Sequence, residues 1–147
     1  MPLRESSLDW SRGRTITDIR STHLSPCERH LGIDLLAVGP DWLEGSLPLS
    51  ARTRDVVGNS FCGAIAILAE ALGGIAANLC LEGEKQQAVG QTLEVHYFER
   101  ITSGTIVGRA LPISITDSNH LWRIEMRDVA GLLLSTSTLS LTILDRK

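Results

Sequence analysis

The chain has 147 residues, enough for one domain that buries roughly two-thirds of the surface its unfolded form exposes. Hydrophobic residues make up 43% and charged residues 21%, the balance of a soluble globular protein. The net charge of -3 removes the electrostatic case for nucleic acid or an anionic membrane as partner.

The first twenty residues show no convincing period and read as an arm without the apolar stretch of a secretion signal. Cys27, Cys62 and Cys80 are odd in number and lack metal-ligand spacing. Reduced thiols, a cytoplasmic location, no metal and no cofactor are therefore expected. Residues 22–31 read as a short helix that Ser25 can cap, with Pro26 in its first turn and Gly32 at its end. The division is an arm and short helix over residues 1–29 and a main domain over 30–147.

Ile33, Leu35 and Ala37 alternate before the turn Gly39-Pro40-Asp41, and Leu43, Gly45 and Leu47 continue after it, which predicts a hairpin. A polar loop over residues 48–60 leads into the apolar run 61–80. Beyond Gly83 the pattern alternates again. Val89, Leu93, Val95 and Tyr97 are assigned to one strand face. Trp122, Ile124 and Met126 take another, and Leu133, Leu139, Leu141 and Ile143 a third. Breaks fall at Thr102-Ser103-Gly104, at 116–119 and at 128–131, short enough to demand antiparallel neighbours. The expected layout is α+β: a hairpin, one long helix, then a meander of about four strands.

The run 61–77 carries a single charge, Glu70. It is long enough to span a membrane, but a carboxylate near its middle would cost about 2.5–3.5 kcal/mol to insert, with little Leu or Phe to offset it. A helix apolar all round is a buried core helix. Ile65, Leu68, Leu72, Ile75 and Leu79 form a bulky stripe, whereas Gly63, Ala66, Gly73, Gly74 and Ala77 are assigned to the face bearing Glu70. Each helical glycine costs about 0.8–1.0 kcal/mol relative to alanine, so close approach or a substrate channel is the natural compensation. Asn59 or Ser60 can cap the helix, leaving the amides of residues 61–63 free to bind an anion. Glu70 lies about 10–12 Å further along by helical rise, too far for one residue's reach, and in a dimer a partner's helix end could face it. The alternative is a structural acid paired with an arginine such as Arg109 or Arg123.

His30-Leu-Gly-Ile33, Ser50 through Gly58, Leu68-Ala-Glu-Ala-Leu-Gly73, Val89-Gly90, Ser103-Gly104, Leu111-Pro112 and Trp122-Arg-Ile124 together resemble the hot-dog thioesterases of the PaaI and 4-hydroxybenzoyl-CoA type. The resemblance covers roughly residues 30–145. It implies a sheet wrapped around one central helix, a homodimer or homotetramer, and an acyl-CoA or acyl-carrier-protein substrate at the subunit interface. It also implies a carboxylate base or nucleophile, which falls on Glu70, and a carbonyl-polarising amide, which falls on Cys62. The family's usual His-Gly-Gly reads Phe61-Cys62-Gly63 here. A loop Gln or Asn becomes Asp55, a Ser or Thr becomes Gly74, and a strand His becomes Tyr97 beside His96.

The candidate catalytic residues are thus Glu70, Asp55 and Cys62, and the candidate substrate-binding residues are Phe61, Gly63, Gly74, His96 and Tyr97. Asp55 could pair with Glu70 as acid and base, or be a solvated loop residue. His96 and His120 could equally be structural. Besides thioester hydrolysis, a dehydratase, isomerase or cyclase on the same fold and a non-catalytic acyl-binding protein are the readings to separate.

Overall fold

A computed structural model describes residues 13–81 and 83–147, so the first twelve residues of the expected arm lie outside the described residues. Two short helices come first, α1 over Ile16–His23 and α2 over Pro26–His30. Each opens with a capping box, in which the hydroxyl of Thr15 or Ser25 accepts from the third amide of the helix. The carboxylate of Asp18 or Glu28 in turn accepts from the cap's own N–H. Sequence reading misses α1, and merges its end with α2 into one helix over 22–31. The break has a local cause: Ser25 precedes a proline and is held extended, at φ -75° and ψ 163°. Ile19 of α1 is fully buried in the core, so this segment packs on the domain.

The strands are β1 (Asp34–Val38), β2 (Leu43–Pro48), β3 (Gln86–Tyr97), β4 (Thr105–Ile115), β5 (Asn119–Asp128) and β6 (Leu133–Asp145). They form one six-stranded sheet in the order β1-β2-β4-β5-β6-β3, every neighbouring pair antiparallel. The β1–β2 hairpin forms as the sequence predicts, but its alternation breaks after Leu35, where a register shift pairs Ala37 with Glu44 and Val38 with Leu43. The four-strand meander does not form: β3 leaves β4 and pairs with the far side of β6. The segment between β3 and β4 is carried across the entrance of the central helix instead. There Ser60 N–H donates to Ile101 O at 2.8 Å and Ile101 N–H donates back to Ser60 Oγ at 3.3 Å.

Register shifts interrupt the pairings β1–β2, β3–β6, β4–β5 and β5–β6, and such bulges bend strands and strengthen their twist. The sheet can therefore curl around α3, Cys62–Leu79. Three of the shifts overturn face assignments. Because of the one after Leu35, Ala37 turns away from Leu35 and Val38 packs against the core in its place. Because of the one between Gly90 and Thr92, Gly90 faces the helix opposite Leu141, while Val89 turns away from Leu93 and Val95. Because of the one at the start of β6, Leu133 pairs with Arg127, and it is Leu134 that is fully buried.

Ile65, Leu68, Leu72, Ile75 and Leu79 are all buried, with Trp122, Ile124, Met126, Leu139 and Leu141 facing them from the sheet. Small residues let the helix sit close. A Cβ on Gly73 would come 2.6 Å from Leu139 Cδ2, and one on Gly108 would meet Leu72 Cδ1 and Met126 Sδ at 2.7 Å. α3 is the one helix among the described residues long and apolar enough to cross a membrane, and most of it is buried inside the sheet.

Candidate active site

Among the described residues no hydrogen bond or ion pair reaches Glu70. The arginines that could have neutralised it are engaged elsewhere. Arg109 holds Glu44 at 2.8 Å and stacks on Trp42 at 4.4 Å from the ring centre, and Arg123 holds Glu125 at 3.1 Å. The structural-acid alternative is therefore not met.

A cavity of about 200 Å³ opens beside the carboxylate. Gly74 and Asn78 of α3, Ala88 and Gly90 of β3, His23 of α1 and Glu28 of α2 contribute to its walls. Bare backbone makes the room: the nearest group to a Cβ built on Gly74 or Gly90 would be Glu70 Oε1, at 3.9 and 3.5 Å. Glu70 is exposed in the single chain, with its Oε1 beside Gly74 and Gly90 at the cavity wall. Burial raises its pKa above the ordinary 4.5, with the nearby charge of Glu28 as the smaller cause.

The small-residue face is narrower than the sequence suggests. Gly73 and Ala77 are buried against the sheet, and Gly63 lies beneath the ring of Phe61, which a Cβ there would approach to 2.7 Å. Gly74 remains beside Glu70, and Gly90 joins it from β3. Reading Val89 through Tyr97 as unbroken alternation hides Gly90, because its position on the helix-facing side depends on the bulge at Gln91.

The start of α3 is the second centre. Phe61 is the N-cap residue, extended at φ -77° and ψ 122°, and no side chain caps the first turn. Asn59 and Ser60 do not serve as caps because the loops on either side claim them. The carbonyl of Asn59 accepts from Asp55 N–H at 2.8 Å, and Ser60 is tied to Ile101. The amides of Cys62 and Gly63 find no acceptor among the described residues and sit at the positive end of the helix dipole. Tyr97 anchors this end, its hydroxyl donating to the Cys62 carbonyl at 2.8 Å; partial burial raises its pKa.

Asp55 shapes the preceding loop. Its Oδ1 accepts from the N–H groups of Val57 at 3.0 Å and Asn59 at 2.9 Å, and Arg100 lies 3.7 Å from its Oδ2. His96 points to the opposite side of β3 from Tyr97 and pairs with Glu94 at 2.7 Å. Within one chain, then, Phe61, Cys62, Gly63 and Tyr97 gather at the helix start, while Glu70 and Gly74 gather with Gly90 further along. Eight residues of helical rise, about 12 Å, separate the two centres. Among the described residues no group of three His, Cys, Asp or Glu side chains could hold a metal ion.

A six-stranded antiparallel sheet curled around one long helix defines the hot-dog fold. The chain belongs to the thioesterase superfamily, whose sequence model matches residues 57–135. It is 30% identical to the 1,4-dihydroxy-2-naphthoyl-CoA hydrolase of Escherichia coli, over 92% of this chain and 98% of that one. It is 31% identical to the proofreading thioesterase EntH of Cronobacter sakazakii, over the same shares. A solved thioesterase from Haemophilus influenzae superposes with a TM-score of 0.85 at 30% identity, covering 89% of this chain and 91% of that one. A mutant thioesterase from Pseudomonas aeruginosa shares the fold at a TM-score of 0.88 and 23% identity, over 93% of this chain and 99% of that one.

Proposed function

We propose that the chain is a cytoplasmic hydrolase of an acyl thioester carried on coenzyme A or an acyl-carrier protein, with Glu70 as general base or nucleophile. One observation carries this reading: a carboxylate on the core helix, without a partner among the described residues, lines a cavity kept open by Gly74 and Gly90. Ionised, Glu70 takes a proton from water attacking the thioester carbonyl, or attacks that carbonyl itself. The raised pKa makes it a better base than an ordinary carboxylate. The developing oxyanion is held by the Cys62 amide, a donor independent of the side chain at that position. A hydrolase and a thioesterase among the relatives support the thioester as substrate class.

About 12 Å between base and amide is too far for one carbonyl, so the amide comes from a second protomer. β3 is the edge that would receive that protomer: it is twelve residues long and hydrogen-bonded on one side only. Exposed Tyr97 and Phe98 at its end, and Phe61 at the adjoining helix start, supply apolar surface. A homodimer, or a homotetramer built from it, is the assembly proposed.

Glu70→Gln should leave the fold intact and lower kcat by roughly a hundredfold or more in a thioester cleavage assay that detects released thiol. Turnover at the wild-type rate would refute the assignment.

A further inference from the structure

Glu28 lies outside the matched family segment and within a helix of five residues, yet it shares the Glu70 cavity. Its place there is fixed by local structure. As the third residue of α2 it accepts from Ser25 N–H at 2.6 Å, while its own N–H donates to Ser25 Oγ at 3.3 Å. It cannot easily swing away without undoing the start of that helix.

We infer that Glu28 is a positioning residue for Glu70, its carboxylate facing the catalytic carboxyl across their common cavity so that the two behave as an electrostatic pair. The inference rests on Glu70 being the base or nucleophile. Two like charges in one partly desolvated cleft disfavour simultaneous ionisation. The capping bond holds the Glu28 carboxylate at the cavity wall, and its charge there disfavours ionisation of Glu70. The consequence is a more basic catalytic carboxylate than burial alone would give. The other titratable group facing the cavity is His23 of α1, whose pKa burial lowers; the β3 and β6 walls offer Ala88, Gly90 and Leu141, and α3 adds Ala71, Gly74, Ile75 and Asn78.

The test is the acid limb of kcat/KM in the full-length protein, where activity rises as Glu70 loses its proton. Glu28→Gln removes the charge but keeps a residue able to complete the capping box, so the fold should hold. The limb should move to lower pH by roughly half a unit or more, because Glu70 then ionises more readily. Glu28→Ala should give the same displacement if charge, not the hydrogen bond, is responsible. Titration of the Glu70 side-chain carbon by NMR, with and without Glu28→Gln, reads the pairing without any turnover. A Glu70 titration that does not move overturns the inference whatever the kinetics show, as does a limb that moves with His23→Gln and not with Glu28→Gln. Retained activity in Glu70→Gln would instead overturn the hydrolase reading itself, so the two failures are distinct.

Discussion

The physical chemistry of Glu70 makes a stability claim as well as a catalytic one. A carboxyl whose folded pKa stands above its unfolded value binds its proton more tightly when folded. Its contribution to stability is complete below the ordinary 4.5 and is lost as pH rises through the raised folded value. Glu70→Gln, neutral at every pH, should therefore be more stable than the wild type near neutrality, with the difference closing toward about pH 4. Urea midpoints at the two pH values measure this, and a variant less stable at neutral pH would mean that the carboxylate has an unseen stabilising partner. Glu70 was legible in the sequence because it is the one charge in a long apolar run. His120 is less so: its ring is buried beside Trp122, burial lowers its pKa, and its Nδ1 has no partner among the described residues, which places it in the core.

At the scale of elements, glycines in α3 serve two purposes that sequence alone does not separate. Gly73 and Gly74 are adjacent, and reading both onto the Glu70 face was reasonable from composition. Helical geometry sets them about 100° apart, however, and the curled sheet occupies only one of the two directions. Gly73→Ala would drive a Cβ to 2.6 Å from Leu139 and 3.3 Å from Ile124, in a core that is already filled. A cost of about 1–3 kcal/mol is expected in denaturant unfolding. Gly74→Ala meets only Glu70 Oε1 at 3.9 Å and should gain up to about 1 kcal/mol from helix propensity, leaving its effect to appear in KM instead. Equal destabilisation by both would place Gly74 in the core after all. The bulky stripe is readable because its period is unbroken, and the β1–β2 hairpin because turn residues separate two apolar runs. Ala37, Val89 and Leu133 lie on other faces than simple alternation assigns, because a single inserted residue reverses every face beyond it. The displacement of β3 to the far edge was hidden for another reason: nothing in the 98–104 segment distinguishes a short turn from a crossing over the helix entrance.

For the whole molecule, the question is whether one chain holds a complete site. The Cys62 amide and the Glu70 carboxylate are each unpartnered among the described residues, and they lie two helical turns apart on one rigid element. Flexing the chain cannot bring them together, and the composite site proposed between protomers would let both touch one thioester. Cys62 provides a clean probe because it is the first residue of α3, where proline is favoured and its absent N–H is no loss to the helix. Phe61 is already extended, as a residue before proline must be. Cys62→Pro should therefore fold normally yet lose roughly a hundredfold or more in kcat through the missing oxyanion donor. Glu70→Ala should fold and be inactive for a different reason. If each site takes its amide from one protomer and its carboxylate from the other, the mixed dimer contains one site with both defects and one with neither. Randomly exchanged protomers at equal concentration would then recover about a quarter of wild-type activity, since half the dimers are mixed and half their sites are intact. Recovery should follow the rate of subunit exchange and vanish if exchange is blocked by cross-linking beforehand. Two inactive variants that exchange fully and stay inactive would instead assign both groups of each site to the same chain, and the interface account of the chemistry would fall with that result.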